Sequence, residues 1–307
     1  MNKASWMTAN YGIMVHYLPE TAPRSGEKQT DYNVMANEFD MKRFVRQIKD
    51  MGAKWVIFPF GQNSGFFWSA NEIMERYCPN CCSQRDLMME LAAALHEEGI
   101  RLIAYIPTEM DLQVPFMRKA FSWDESADKK AFMEKYYAWI QAYGEKFGEL
   151  LDGWWFDGCY EASQKSFLRT RDWNNARFNK EKWLKVVKTG NANRIFAMCT
   201  GANSMKWVFE EEEYLAGESG GDKKPWQYEE NNKQWHCLFF LDCPWVHSAV
   251  GEMEPPKFSD EYLVEYVSSC LEKKGAVTMN IGIYEDGALA DRTVAQVKKV
   301  KEHVYGK

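Results

Sequence analysis

Asp157 closes the apolar run Trp154-Trp155-Phe156 and is followed at once by Gly158. A carboxylate in that position has two readings. One is the turn that ends a strand, for which Asp-Gly is a common signature. The other is a carboxylate held at the mouth of a parallel barrel, where catalytic groups gather. Carboxylate catalysis of glycoside cleavage needs a second acid. In a retaining enzyme the two groups lie about 5–5.5 Å apart, one attacking the anomeric carbon and the other handing a proton to the leaving oxygen. The chain offers partners in Glu210-Glu211-Glu212-Glu213 and in Glu218. A four-glutamate run is also what a solvated face looks like.

Other polar groups fall at the ends of strand-like runs: His16, the Gly61-Gln62-Asn63-Ser64 loop, Glu161, Asn203 and Asn280. This amide-rich set suits a neutral, hydroxyl-bearing substrate better than a phosphate or a metal. The five histidines are scattered, with no paired metal spacing. Cys78-Pro-Asn-Cys81-Cys82 resembles half of a zinc site, but no second pair completes it. The expectation is therefore a site with no metal and no cofactor.

Positioning these groups requires strands that end together. Gly12–Leu18, Lys54–Phe60, Arg101–Ile106, Trp154–Asp157, Arg194–Thr200 and Ala276–Gly282 read as strands. Helical periodicity separates them, over Asp40–Met51, Asp86–Glu98, Lys129–Leu151, Ser259–Lys274 and a last helix with Val294, Val297, Val300 and Val304 inward. Residues 203–256 read as irregular. Alternating strands and helices predict a parallel α/β fold. No glycine-rich phosphate fingerprint supports a doubly wound sheet. The expected architecture is a (β/α)₈ TIM-type barrel, a single domain over residues 1–307, whose typical size is about 250 residues before insertions.

The bulk numbers agree with a sugar site. A net charge of −6 gives no electrostatic footprint for nucleic acid or an anionic membrane, and no apolar stretch approaches a transmembrane length. The N-terminus has no basic region followed by a long apolar one, so the expected setting is cytoplasmic, with a periplasmic or secreted one for a longer precursor. The 13 tryptophans supply core packing, and also flat faces for the C–H surfaces of sugars.

Five blocks in order carry a resemblance to the α-L-fucosidases of glycoside hydrolase family 29 over nearly the whole chain. They are Tyr11-Gly12-Ile13-Met14-Val15-His16, Gly52–Ile57 with Gly65-Phe66, Asp86–Leu91 with Gly99-Ile100-Arg101, Trp155-Phe156-Asp157-Gly158, and Asn280-Ile281-Gly282 with Asp286-Gly287. The resemblance implies Asp157 as nucleophile and His16 as a sugar ligand. Lys206–Glu211, with Tyr214 and Ala216-Gly217-Glu218, is similar to the segment carrying the family's acid/base. It points first to Glu211, with Glu218 and Glu212 as alternatives. Gln62, Asn63, Trp155, Tyr105 and Trp207 join His16 as expected substrate contacts.

The chain departs from the family pattern at Tyr17-Leu18, at Ile106, and at Gln62-Asn63-Ser64-Gly65-Phe66, where amides stand in place of two histidines. A C-terminal β-sandwich is not expected. The sequence thus predicts a retaining exo-glycosidase acting on an oligosaccharide or glycoside. Its alternatives are the same reaction on a sugar other than fucose, or an inactive carbohydrate-binding barrel.

Overall fold

A computed structural model describes residues 2–62, 64–108, 114–126, 128–159, 179–202, 205–219, 229–230 and 233–306 of the chain. Seven parallel strands form a curled sheet. They are β1 (Tyr11–Met14), β2 (Trp55–Pro59), β3 (Arg101–Pro107), β4 (Gly153–Asp157), β5 (Ile195–Met198), β8 (His236–Phe240) and β9 (Ala276–Asn280), in the order β5-β4-β3-β2-β1-β9-β8. Between β5 and β8 in the chain, β6 (Glu229–Glu230) and β7 (Lys233–Gln234) make a separate two-stranded pair. The helices are α1 (Tyr32–Glu38), α2 (Met41–Met51), α3 (Glu72–Tyr77), α4 (Leu87–Glu97), α5 (Pro115–Ala120), α6 (Lys130–Phe147), α7 (Lys180–Val187), α8 (Asp260–Glu272) and α9 (Asp291–Tyr305).

Every strand of the seven is buried on both faces, which is why each reads as a continuous apolar run. Period-two alternation splits the residues between two layers. Val56, Phe58, Leu102, Ala104, Trp154 and Phe156 face the helices and join the larger core. Trp55, Ile57, Ile103, Tyr105 and Trp155 face the other way and form a second core inside the curl. Gly12 makes room for it, because a Cβ there would lie 2.2 Å from Trp55 Nε1.

Helix ends follow local chemistry. Asp40, Asp86 and Ser259 cap α2, α4 and α8 by accepting the N–H of Arg43, Met89 and Tyr262. Such a cap contributes about 1 kcal/mol. Gly52 ends α2 in the left-handed region at φ 76°. Among the described residues no helix is long and apolar enough to cross a membrane.

Among the described residues the sheet holds seven strands where eight were expected, and β8 lies within the stretch expected to be irregular. Residues 214–218 run beside β7 and β8 through two isolated parallel bridges, Tyr214 to Gln234 and Glu218 to Leu238. On the other side, the edge of β5 is satisfied by side chains. The N–H of Phe196 donates to Glu213 Oε2 at 3.1 Å, and that of Met198 to Glu212 Oε2 at 2.8 Å. An unpaired strand edge leaves a row of costly backbone groups. Here two carboxylates of the acidic run accept them.

Candidate active site

Strand parity gathers the site. Asp157 is two residues beyond Trp155, so it faces the inside of the curl at the C-terminal end of β4. By the same count Tyr105 follows Ile103 on β3, Cys199 follows Ala197 past β5, and Glu218 follows Ala216. His16 lies two residues past Met14 on the same rule, and Asn280 ends β9.

Asp157 is held at both carboxylate oxygens. The Tyr105 hydroxyl donates to Oδ2 at 2.5 Å, and the N–H of Gly158 donates to Oδ1 at 2.8 Å. Its carbonyl accepts the N–H and the hydroxyl of Thr108 at 2.8 and 2.7 Å. Tyr105 is itself fixed by stacking on Trp155, with ring centroids 5.3 Å apart. Trp155 is 1% exposed and donates its indole N–H to the carbonyl of Ala216, so it forms the floor of the site.

Glu218 is the second carboxylate. Its oxygen, one from Asp157 and the sulfur of Cys199 all lie within 4.8 Å of one another. The Cys199 thiol donates to Glu218 Oε2 at 2.9 Å. Burial, with the negative charge of Asp157 second, pushes the Glu218 carboxyl up to about 7, while the bond from Cys199 opposes them. Burial, with Glu218 and Asp157 next, raises the thiol well above its ordinary range. Thiol and carboxylate donors together suit thiophilic divalent cations, and this trio offers such a set. Hydrogen bonds within the site already engage its atoms. Cys78, Cys81 and Cys82 join no such group among the described residues.

The other members of the acidic run do different work. Glu211 pairs with Lys180 of α7 at 2.6 Å. Glu212 is 1% exposed and accepts three N–H groups, from Val208 at 2.6 Å, Phe209 at 2.7 Å and Met198 at 2.8 Å. Burial pushes it up to about 8 against those three bonds. Glu213 pairs with Lys188. The first-choice proton donor of the sequence reading is thus an ion-pair partner, and its alternative Glu218 stands beside Asp157. The run itself is legible only as an acidic patch, because what each member touches depends on the strand edge it meets.

His16 is 2% exposed, and burial lowers it to about 4 despite its bond to Asn280. Asn280 donates its amide to the carbonyl of Cys243 at 3.0 Å, which turns its Oδ1 toward His16 Nδ1 at 3.2 Å. An oxygen acceptor there requires Nδ1–H, leaving Nε2 as an acceptor. Trp245 covers the histidine with ring centroids 4.8 Å apart, and its backbone sits at φ 66°, where a bulky residue is strained. Sequence reasoning did not single out Trp245 or the site role of Cys199. Parity from Ile195 would have found Cys199; no local signal marks Trp245.

Gln62 lies half-buried on the loop after β2, at the same end of the sheet. Asn63, Glu161 and Asn203 lie outside the described residues. Trp207 does not join the site. It packs edge-on against Trp235 at 6.0 Å, and the Trp235 carbonyl accepts from Ala276 at the start of β9, the opposite end of the sheet. A cleft of about 830 Å³ lined by Lys3, Trp6, Arg101 and Asp152 also lies at that opposite end. That cleft does not include the carboxylate pair of Asp157 and Glu218.

The alpha-L-fucosidase family profile matches residues 2–305. A search of curated proteins returns no match. Among solved structures, an endo-fucoidan hydrolase of glycoside hydrolase family 107 is similar at 15% identity and TM-score 0.69, covering 98% of this chain and 53% of that one. A second such hydrolase gives 15%, 0.70, 98% and 64%. The chain therefore spans between half and two thirds of the length of these two. Alpha-L-fucosidase AlfC from Lactobacillus casei, in complex with alpha-L-fucose product, gives 14% identity and TM-score 0.68, covering 98% and 97% of the two chains. Alpha-L-fucosidase isoenzyme 1 from Paenibacillus thiaminolyticus gives 16% and 0.67, covering 97% and 74%. At these identities the likeness is one of fold.

Proposed function

The chain belongs to the alpha-L-fucosidase family of glycoside hydrolases, and we propose that it is a retaining exo-glycosidase with Asp157 as nucleophile and Glu218 as acid/base. One observation carries this reading. Carboxylate oxygens of Asp157 and Glu218 lie within 4.8 Å, on the retaining side of the two separations known for glycosidases. An inverting pair needs about 6.5–9.5 Å to admit a water.

Each residue then has a step. Asp157 attacks the anomeric carbon as the bond to the leaving oxygen breaks, and the proton of Glu218 passes to that oxygen. Ionised Glu218 next takes a proton from water, water attacks the same carbon, and Asp157 departs. The bonds from Tyr105 and Gly158 hold Asp157 in one rotamer, which preserves its aim. A carboxyl poised near 7 suits both duties of Glu218, donor first and base second. Neutral His16 accepts a sugar hydroxyl at Nε2, and Trp245 offers its ring to the sugar's C–H face. Gln62 and Asn63 bond further hydroxyls. Fucose is the first substrate to try, on family membership. The amides at 62 and 63, where the family carries histidines, favour a related sugar as the second reading.

The test varies leaving groups. Asp157→Ala should abolish turnover of nitrophenyl and natural glycosides alike. Glu218→Ala should lose roughly 10²–10⁴-fold on natural glycosides, form the glycosyl-enzyme from nitrophenyl substrates, and be rescued by azide with retained configuration. Glu211→Ala should stay close to the parent rate. The assignment fails if Glu211→Ala is the variant azide rescues.

A further inference from the structure

Cys199 has no role in the reaction scheme above, yet it hydrogen-bonds the proposed acid/base. The residue is 1% exposed, and its sulfur sits 2.9 Å from Glu218 Oε2. The N–H of Gly201 donates to the same sulfur at 3.4 Å. The sulfur thus accepts from Gly201, and its S–H donates to Glu218 Oε2.

We propose that Cys199 is a positioning residue whose thiol holds Oε2 of Glu218 as an acceptor, so that the transferable proton resides on Oε1. This rests on Glu218 being the acid/base. A carboxyl group can carry its proton on either oxygen, and only one can face the leaving group. A thiol bonded to Oε2 removes that ambiguity without adding charge, and among the described residues no other side-chain hydrogen bond engages the Glu218 carboxyl. A serine would keep the donor with a shorter reach, whereas an alanine would abolish it. The thiol also stabilises the ionised carboxylate, against the burial and the Asp157 charge that favour the acid. The sign for a variant follows. Without the donor, Glu218 binds its proton more tightly, and the alkaline limb of the rate profile moves to higher pH.

Two measurements test it. In pH profiles of kcat/KM on a natural glycoside, whose poor leaving group needs the Glu218 proton, Cys199→Ala should raise the proton affinity behind the alkaline limb roughly tenfold, the effect of a modest bond to a charged group. Cys199→Ser should return the limb toward the parent position, which loss of packing alone would not do. Infrared spectroscopy supplies a readout that needs no turnover: a red-shifted thiol stretch, absent in Cys199→Ser, whose position tracks the ionisation of Glu218 and stops moving with pH in Glu218→Gln. Unchanged limbs in Cys199→Ala, or a thiol band indifferent to Glu218→Gln, would overturn the proposal. Failure of the acid/base reading looks different: Glu218→Gln would cleave natural glycosides at the parent rate while the thiol band still responded.

Discussion

At the scale of single residues, the site is made of groups whose neighbours change their chemistry. His16 is kept neutral by burial, and Glu218 is kept near 7 by burial and a second carboxylate. Trp245 shows a different kind of tuning. A tryptophan at φ 66° costs of order 1–3 kcal/mol, and such strain persists where the surroundings hold it. Here the strain places the ring over His16 and edge-on to Phe240, with centroids 4.5 Å apart in the second contact. Trp245→Gly relieves it. The expected outcome is a protein of equal or higher melting temperature whose KM for its glycoside rises at least tenfold, read from calorimetry and steady-state kinetics together. A lower melting temperature with an unchanged KM would make Trp245 a packing residue.

At the scale of elements, the informative piece is the edge of β5. Sheet strands usually satisfy their edges with another strand; β5 instead gives two N–H groups to Glu212 and Glu213. Glu212 also gathers Val208 and Phe209, so one buried carboxylate ties three backbone donors from two segments. Each buried donor left unsatisfied costs about 1–3 kcal/mol. Glu212→Ala should therefore destabilise the fold by about 3 kcal/mol or more in denaturant titrations. Glu210→Ala, at an exposed position of the same run, should change stability by less than about 0.5 kcal/mol. Equal effects at the two positions would return the run to the status of a solvated patch.

At the scale of the whole molecule, a buried polar chain crosses the interior of the curl. Trp55 donates to the Thr278 hydroxyl at 2.9 Å, that hydroxyl meets His236 Nε2 at 2.7 Å, and His236 Nδ1 reaches the Leu215 carbonyl at 2.9 Å. Since Thr278 accepts from Trp55, its proton goes to Nε2, and Nδ1–H faces the carbonyl. The chain links β2, β9, β8 and residues 214–218, which carry Glu218. Burial lowers His236 to about 4 from 6.5. A depressed histidine means the unfolded chain binds more protons in that window, so its stabilising contribution is complete above pH 6.5 and lost as pH falls toward 4. The stability difference between the parent and His236→Gln should therefore shrink by about 3 kcal/mol between pH 7 and pH 4. Buried carboxylates with the opposite sign cancel in that difference. A gap that stays constant would show that His236 does not titrate with folding.

The sequence by itself determined the things that depend on near neighbours. Strand runs, caps such as Asp40 and Asp86, and the helical stripes of α4 and α6 are written in local periodicity, which burial then enforces. The motif around Asp157 was legible too, because the run fixes both its strand end and its face. Tertiary structure decided which glutamate stands opposite it. Glu211, Glu212 and Glu218 differ little as local sequence, but one meets a lysine, one a strand edge, and one a thiol beside Asp157. The same holds for β8 and residues 214–218, which find their places only by pairing with distant chain, and for Trp207, which chain order alone could not assign to an end of the sheet. Pairing across the fold joins residues by distance in space, and a one-dimensional pattern carries no record of it.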